Sequence, residues 1–294
     1  MVNETSSNTK EDFAGLLSLG QKTLSGAGVE DAPRDALVLL CAAAGFDRAM
    51  LVSRSRENPP AAIKDKYIAY IYRRAQKEPI QYIIGEWEFM GLPFAVNHDA
   101  LIPRPETESL VEGVINGLGD RAAPIILDMC TGSGCIAISL AVFLKTSSIV
   151  ATDISVRALR LAEKNALLNN VSDRIMFLEG DLFDPLDEAA HFDAICANPP
   201  YIAKHEFATL PDDIRLYEPD VALDGGRDGL VFFRAIAGKA AKWLKPGGFI
   251  AVEVGAGQSH RVENIFKENG FGNTWAHTDA GGCVRVICGK IIVN

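Results

Sequence analysis

The residue types in this chain best suited to chemistry on a planar nitrogen stand together in Asn198-Pro199-Pro200-Tyr201. Neither proline has a backbone N–H, and both have a fixed φ. The residue before each is pushed out of the helical region. Held extended at a strand end, Asn198 offers one acceptor oxygen and two N–H donors from its side-chain amide. The carbonyl of Pro199 adds a second acceptor whose own residue cannot donate. Such a socket suits an –NH2 group on a planar substrate, with Tyr201 as a flat apolar wall carrying a polar tip. Asn-Pro also starts many turns that do no chemistry, so the string alone leaves an inert strand exit open.

A second constellation lies upstream, where Ile125-Ile126-Leu127-Asp128-Met129-Cys130-Thr131-Gly132-Ser133-Gly134-Cys135-Ile136-Ala137 runs from strand to turn to helix. Gly132 and Gly134 let the backbone approach a ligand closely, and Ala137 lets the helix pack on a sheet. Asp153 ends the next strand, about 20 residues on, where a carboxylate can accept both ribose hydroxyls. Asp181 follows the strand after that. Its carboxylate can accept from an adenine amino group, the Leu182 N–H can serve a ring nitrogen, and Leu182 or Phe183 can cover the ring. Glycines with a distant acid also fit a dinucleotide. Two features favour S-adenosylmethionine: Asp128 sets a carboxylate beside the turn for a cationic ligand, and a hydride-transfer site has no evident use for an amide socket at Asn198.

These residues need elements to position them. From 125 onward, strand-like runs at Ile125–Met129, 149–152, Ile175–Glu179, Phe192–Ala197 and 249–254 alternate with helical stretches, which predicts a parallel sheet covered on both faces. Runs at 274–278 and 284–289, joined by Asp279-Ala280-Gly281-Gly282, predict a terminal hairpin with one antiparallel edge strand. Residues from about 10 to 78 read as short helices. One opens with Phe13, Leu16, Leu17 and Leu19, a second ends at Gly45, a third is capped by Asp47, and a fourth starts at Pro59-Pro60. Between these regimes, 81–96 reads as a β-hairpin through Tyr82, Ile83, Trp87, Phe89 and Phe94. The expected division is 1–80 helical bundle, 81–100 hairpin linker and 101–294 catalytic domain.

Composition narrows the classes. The net charge of −9 argues against a grip on long nucleic acid. The six cysteines form no Cys-x-x-Cys pair and the five histidines are scattered, so neither a disulfide framework nor a metal centre is expected; the cysteines read as buried and reduced. The N-terminus has no signal-peptide core. The longest apolar stretch, 135–144, is too short to span a bilayer, so a cytoplasmic protein without a membrane partner is expected. Arg104 and Glu106 read as a surface pair or as the lip of a pocket. Arg73, Arg74 and Lys77 read as a solvated basic face that an acidic partner could meet.

Taken together, these strings resemble the class I S-adenosylmethionine-dependent methyltransferases, and more closely the peptide chain release factor N5-glutamine methyltransferases (the HemK/PrmC family). The specific marks are Leu101-Ile102-Pro103-Arg104-Pro105-Glu106-Thr107-Glu108, the strand and turn at 127–137, and Asn198-Pro199-Pro200-Tyr201-Ile202. Supporting marks are Pro79-Ile80-Gln81-Tyr82-Ile83 and Glu218-Pro219 with Ala222-Leu223-Asp224-Gly225-Gly226. The resemblance implies a Rossmann-like α/β domain, a seven-stranded mostly parallel sheet with one antiparallel edge strand, after a helical substrate-recognition domain. It implies methyl transfer from S-adenosylmethionine to the glutamine of a Gly-Gly-Gln motif in release factors, by a monomer with no direct nucleic-acid contact. Cys130, Thr131, Gly132, Ser133 and Gly134 would line the methionine end of the cofactor, Asp153 would hold the ribose, and Asp181 with Leu182 would face the adenine. Asn198, Pro199, Pro200 and Tyr201 would hold the glutamine amide, Asn198 also lying near the methyl donor. Cys130 stands where the family often has glycine, and Leu182 where it often has an aromatic. The alternatives are a ribosomal-protein glutamine methyltransferase and a nucleic-acid methyltransferase acting on adenine N6 or guanine N2.

Overall fold

The computed structural model describes residues 12–279 and 281–292, in two compact units. The first comprises residues up to Gly85 together with Asp212–Tyr217. Its helices are α1 (Phe13–Gly26), α2 (Ala32–Ala44), α3 (Arg48–Ser53), α4 (Ala61–Ala75) and α5 (Ile80–Ile84). The caps follow from sequence. Asp12 accepts from the Gly15 N–H and Asp47 from the Met50 N–H, α2 stops at a left-handed Gly45, and α4 starts behind Pro60. Leu24, Ala36, Leu39, Leu40 and Tyr67 make the buried centre.

Two expectations for this unit are corrected. Tyr82 and Ile83 are helical, not the start of a strand. The backbone enters α5 at Pro79 and leaves through Gly85 at φ +84°, and burial of both side chains overrides their β preference. The hairpin is therefore shorter, and the helical unit runs past residue 80 to Gly85. The basic cluster is not a free face. Arg73 pairs with Glu78 and donates to the Tyr82 and Ile83 carbonyls, Arg74 pairs with the buried Asp35 at 2.7 Å, and Lys77 donates to the Gly28 carbonyl. These cations join the helices of the unit to one another.

The second unit opens with the hairpin β1 (Glu86–Phe89) and β2 (Leu92–Ala95), followed by α6 (Glu108–Leu118), β3 (Ile125–Met129), α7 (Cys135–Phe143), β4 (Ser148–Asp153), α8 (Val156–Leu168), β5 (Ile175–Glu179) and β6 (Phe192–Ala197). Helix α9 (Asp212–Tyr217) belongs to the first unit. The chain then forms α10 (Val231–Trp243), β7 (Leu244–Glu253), α11 (Ser259–Glu268), β8 (Phe271–Thr278) and β9 (Val284–Ile291). The sheet order is β5-β4-β3-β6-β7-β9-β8. Only β9 runs antiparallel, so the antiparallel strand expected at this edge is the inner member of the terminal hairpin. Every residue of β6 is buried, as both faces of a parallel sheet require. The apolar run at 135–144 is the sheet-packed helix α7, buried on nearly all sides.

The chain moves outward from β3 through β4 to β5, then returns to β6 on the other flank of β3. That reversal opens a crevice beyond the carboxyl ends of β3 and β6, where ligands bind in open α/β sheets. No helix among the described residues is long and apolar enough to cross a membrane. All six cysteines are free; Cys283 is exposed, against the expectation that they are buried.

Candidate active site

Strand β3 delivers the turn at 130–134 to this crevice. Cys130 has φ +57°, Gly132 φ +56° and Gly134 φ +81°. Cys130 thus occupies a left-handed backbone region that favours glycine. A Cβ on Gly134 would sit 2.9 Å from Ile138 and 3.0 Å from Ala162, so this glycine serves helix packing. Asp128 is fully buried. It accepts from the Thr131 hydroxyl at 2.6 Å and from the Ala137 N–H at 3.2 Å, and burial pushes its pKa up to about 7. Its carboxyl shapes the turn from behind.

Strand β4 ends at Asp153, whose two oxygens accept from the Gly132 and Ser155 N–H groups, each at 2.9 Å; burial raises its pKa. The Ile154 N–H also bonds this carboxyl, and of its roughly four lone-pair sites about one stays free. Beyond β5 the backbone bends through Asp181 to Leu182 at φ +49°, where the Leu182 carbonyl accepts from Thr152. Asn165, buried on α8, exchanges hydrogen bonds with both the N–H and the C=O of Ala95 and donates to the Ser133 carbonyl, so it ties β2 to the glycine turn.

One cavity of about 190 Å³ gathers these groups. Of the expected residues, Cys130, Thr131, Gly132, Ser133, Asp153, Asp181, Leu182, Asn198 and Pro200 form its wall. Asp128, Gly134, Pro199 and Tyr201 are not part of that wall. Phe183 does not cover the cavity either; it is buried and stacks on Trp243 with centroids 5.9 Å apart. Arg104 is in the wall and pairs with the buried Glu218 rather than Glu106, while residues 100–103 and Phe232 add apolar surface.

Asn198 leaves β6 at the edge of this cavity, and its Nδ2 donates to the Thr107 hydroxyl at 3.3 Å. Behind it, the Tyr201 hydroxyl meets Glu253 Oε1 at 3.4 Å. Thr107 and Glu253 are each 2% exposed, and burial lifts the pKa of Glu253 to about 7. Neither they nor Asn165 was singled out from the sequence; only their placement reveals them.

The sequence matches the PrmC N-terminal domain family over residues 15–85 and the methyltransferase small domain family over 111–212. It is 40% identical to the release factor glutamine methyltransferase of Clostridium acetobutylicum, over 86% of this chain and 89% of the relative. It is likewise 40% identical to that of Geobacter sulfurreducens, over 91% and 93%. The chain belongs to the release factor glutamine methyltransferase family. Among solved structures, the human methyltransferase 10 domain containing protein superposes with a TM-score of 0.53 at 18% identity, covering 69% of this chain and 90% of that one, which concerns the fold. The release factor-specific protein-(glutamine-N5) methyltransferase of Alicyclobacillus acidocaldarius is 30% identical, covering 67% and 98%, with a TM-score of 0.40. The cavity at the β3–β6 reversal is thus the candidate methyl-transfer site of a methyltransferase.

Proposed function

We propose that this methyltransferase transfers the methyl group of S-adenosylmethionine to the side-chain amide nitrogen of the Gly-Gly-Gln glutamine in peptide chain release factors, acting in the cytoplasm where those factors work. One observation carries the reading: Asn198, with a side-chain amide at a proline-stiffened strand exit, walls the same cavity as the glycine turn and Asp153. The names of relatives that align over most of this chain supply the substrate class. The wall chemistry fits the cofactor. Asp153 keeps acceptor capacity for a ribose hydroxyl, Asp181 offers an acceptor for an adenine amino group, and Leu182 offers an apolar face. Bound there, S-adenosylmethionine supplies an electrophilic methyl on a cationic sulfur.

An amide nitrogen is a weak nucleophile because its lone pair is delocalised into the carbonyl. The residues therefore contribute by alignment and by stabilising positive charge on nitrogen. Asn198 Oδ1 accepts an amide hydrogen, which turns the nitrogen lone pair toward the donor, while Pro199, outside the wall, stiffens the strand exit that holds Asn198. Alignment of this kind is worth up to about 7–11 kcal/mol in favourable intramolecular cases. Neither Asn198 nor the prolines can act as a base, so the proton leaves after transfer. The helical unit is assigned to recognition of the release factor.

Labelled S-adenosylmethionine tests the reading when offered with a release factor, with the same factor carrying Gln→Ala in its Gly-Gly-Gln loop, and with nucleic acid. Label on the first alone is expected. Label on nucleic acid alone overturns it.

A further inference from the structure

Glu253 is a buried acid for which the mechanism above has no use. It ends β7, next to β6 in the sheet, and it is 2% exposed. Its Oε1 meets the Tyr201 hydroxyl at 3.4 Å. Its Oε2 is sealed from solvent and has no partner in full hydrogen-bond geometry. The Thr107 hydroxyl lowers the pKa of the same carboxyl from nearby, short of full hydrogen-bond geometry, and is the acceptor for Asn198 Nδ2 at 3.3 Å. A buried carboxyl with an incomplete set of donors destabilises a fold. A glutamine or leucine would fit this interior at lower cost, so the acid calls for a functional account.

The chemistry of the chain of groups supplies one. A hydroxyl has a single hydrogen. When the Thr107 hydroxyl gives that hydrogen to the Glu253 carboxylate, its oxygen can only accept, and the group it accepts from is the –NH2 end of Asn198. The amide oxygen of Asn198 is then turned away from Thr107. Without an acceptor-only group at 253, as with glutamine or a protonated carboxyl, Thr107 could equally donate to Asn198 Oδ1, and the amide would present its –NH2 to an incoming –NH2, where it repels. We propose that Glu253 is a positioning residue that acts through Thr107 to hold the Asn198 amide with its oxygen free for the substrate nitrogen. This rests on the methyl-transfer reading of the same cavity.

The polarity of the relay depends on the ionisation of Glu253, so the charged groups around it matter. Glu106, from the turn before α6, raises its pKa, whereas Arg285 of β9 lowers it. Arg285 is itself paired with Asp279 at 2.7 Å. Glu253 raises Tyr201, whereas the Tyr201 hydroxyl, by hydrogen bonding to the carboxylate, lowers Glu253; Arg104 and Arg285 lower Tyr201, and Cys135 of α7 also feels Glu253. Glu253 is the member of this group whose pKa is placed at about 7. Protonated, it has a hydrogen to give to Thr107 or Tyr201, and the direction of the relay is lost.

The test compares wild type, Glu253→Gln, Thr107→Val and Thr107→Ser in methylation of one release factor. Glu253→Gln should lower kcat about 100-fold, with KM for the release factor and S-adenosylmethionine affinity within threefold of wild type. Thr107→Val should match it, and Thr107→Ser should restore most of the rate. The wild-type kcat should rise with pH through about 7, and that limb should vanish in Glu253→Gln. A second readout needs no substrate: the side-chain 15N–1H2 resonances of Asn198 should move with pH around 7 in wild type and stay fixed in Glu253→Gln. Near-normal kcat in Glu253→Gln, or Asn198 resonances that ignore Glu253, overturns the proposal. Failure of wild type to label a release factor would instead strike the substrate reading, with the resonance titration still deciding the relay.

Discussion

At the scale of single residues, binding and turnover are separable because different side chains face different parts of the cavity. In the proposed reading Asp153 accepts a ribose hydroxyl, so its role there is affinity. Asp153→Asn loses the negative charge and replaces one acceptor by a donor, leaving Gly132 or Ser155 without its 2.9 Å partner. Hydrogen bonds to a charged group are worth about 1.5–3 kcal/mol, so S-adenosylmethionine affinity measured by calorimetry should fall about 10–100-fold. In the same reading Asn198 acts on the nucleophile. Asn198→Ala should lower kcat by about 100–1,000-fold, as expected when one preorganised polar partner of a transition state is removed, with cofactor affinity changed less than threefold. An Asn198→Ala enzyme with near-normal turnover removes the socket from the mechanism. The wall residues Asn198, Pro200, Asp153 and Asp181 could be picked out in the sequence because each lies in a short string whose chemistry is local, whereas Pro199 and Tyr201 of the same string fall outside the wall. Thr107 and Glu253 could not be picked out, because nothing near either of them in sequence refers to Asn198; folding alone brings them behind it.

At the scale of elements, the cavity depends on connections between segments far apart in the chain. Asn165 is the clearest case: from α8 it serves both backbone groups of Ala95 and the carbonyl of Ser133, and it is fully buried. Asn165→Ala strands three backbone groups and should destabilise the sheet unit by about 2–4 kcal/mol. Because Ser133 belongs to the glycine turn, it should also weaken cofactor binding at temperatures where the variant is still folded. A variant with an unchanged thermal midpoint refutes this. The alternating strands and helices were legible from 125 onward because a parallel sheet writes its buried strands as apolar runs. The segment 80–84 was not, since Tyr82 and Ile83 carry β-type side chains while Pro79 and Gly85 bound a single helical turn. The Arg73, Arg74 and Lys77 cluster misled for a related reason: charge is visible in sequence, but Glu78, Asp35 and the Gly28 carbonyl, which engage those cations, are visible only in space.

At the scale of the molecule, the acids of the site set stability and activity against each other. Asp128 and Glu253 are both held near pKa 7 by burial, whereas unfolded Asp and Glu titrate near 3.9 and 4.3. A carboxyl whose folded pKa is raised binds its proton more tightly in the native state. Its stabilising contribution is complete below about pH 4 and is lost as the pH rises through about 7. Asp228, held at about 2 chiefly by its hydrogen bond to Arg234, has the opposite sign, but its window lies below pH 4 and is silent above it. The net charge of −9 adds repulsion at higher pH, which 0.3 M salt largely screens. In that salt, the protein without ligands should lose about 2 kcal/mol between pH 6 and pH 8, a fall in thermal midpoint of about 4–8 °C. The Asp128→Asn, Glu253→Gln double variant should flatten most of this slope, which separates the two buried acids from general charge repulsion. A wild-type midpoint that holds or rises from pH 6 to pH 8 refutes the assignment of these two carboxyls as destabilising when ionised. Turnover should move the other way over the same interval, because the Glu253 relay needs the carboxylate. The ionised carboxyl that positions Asn198 is thus also one that the folded interior tolerates least.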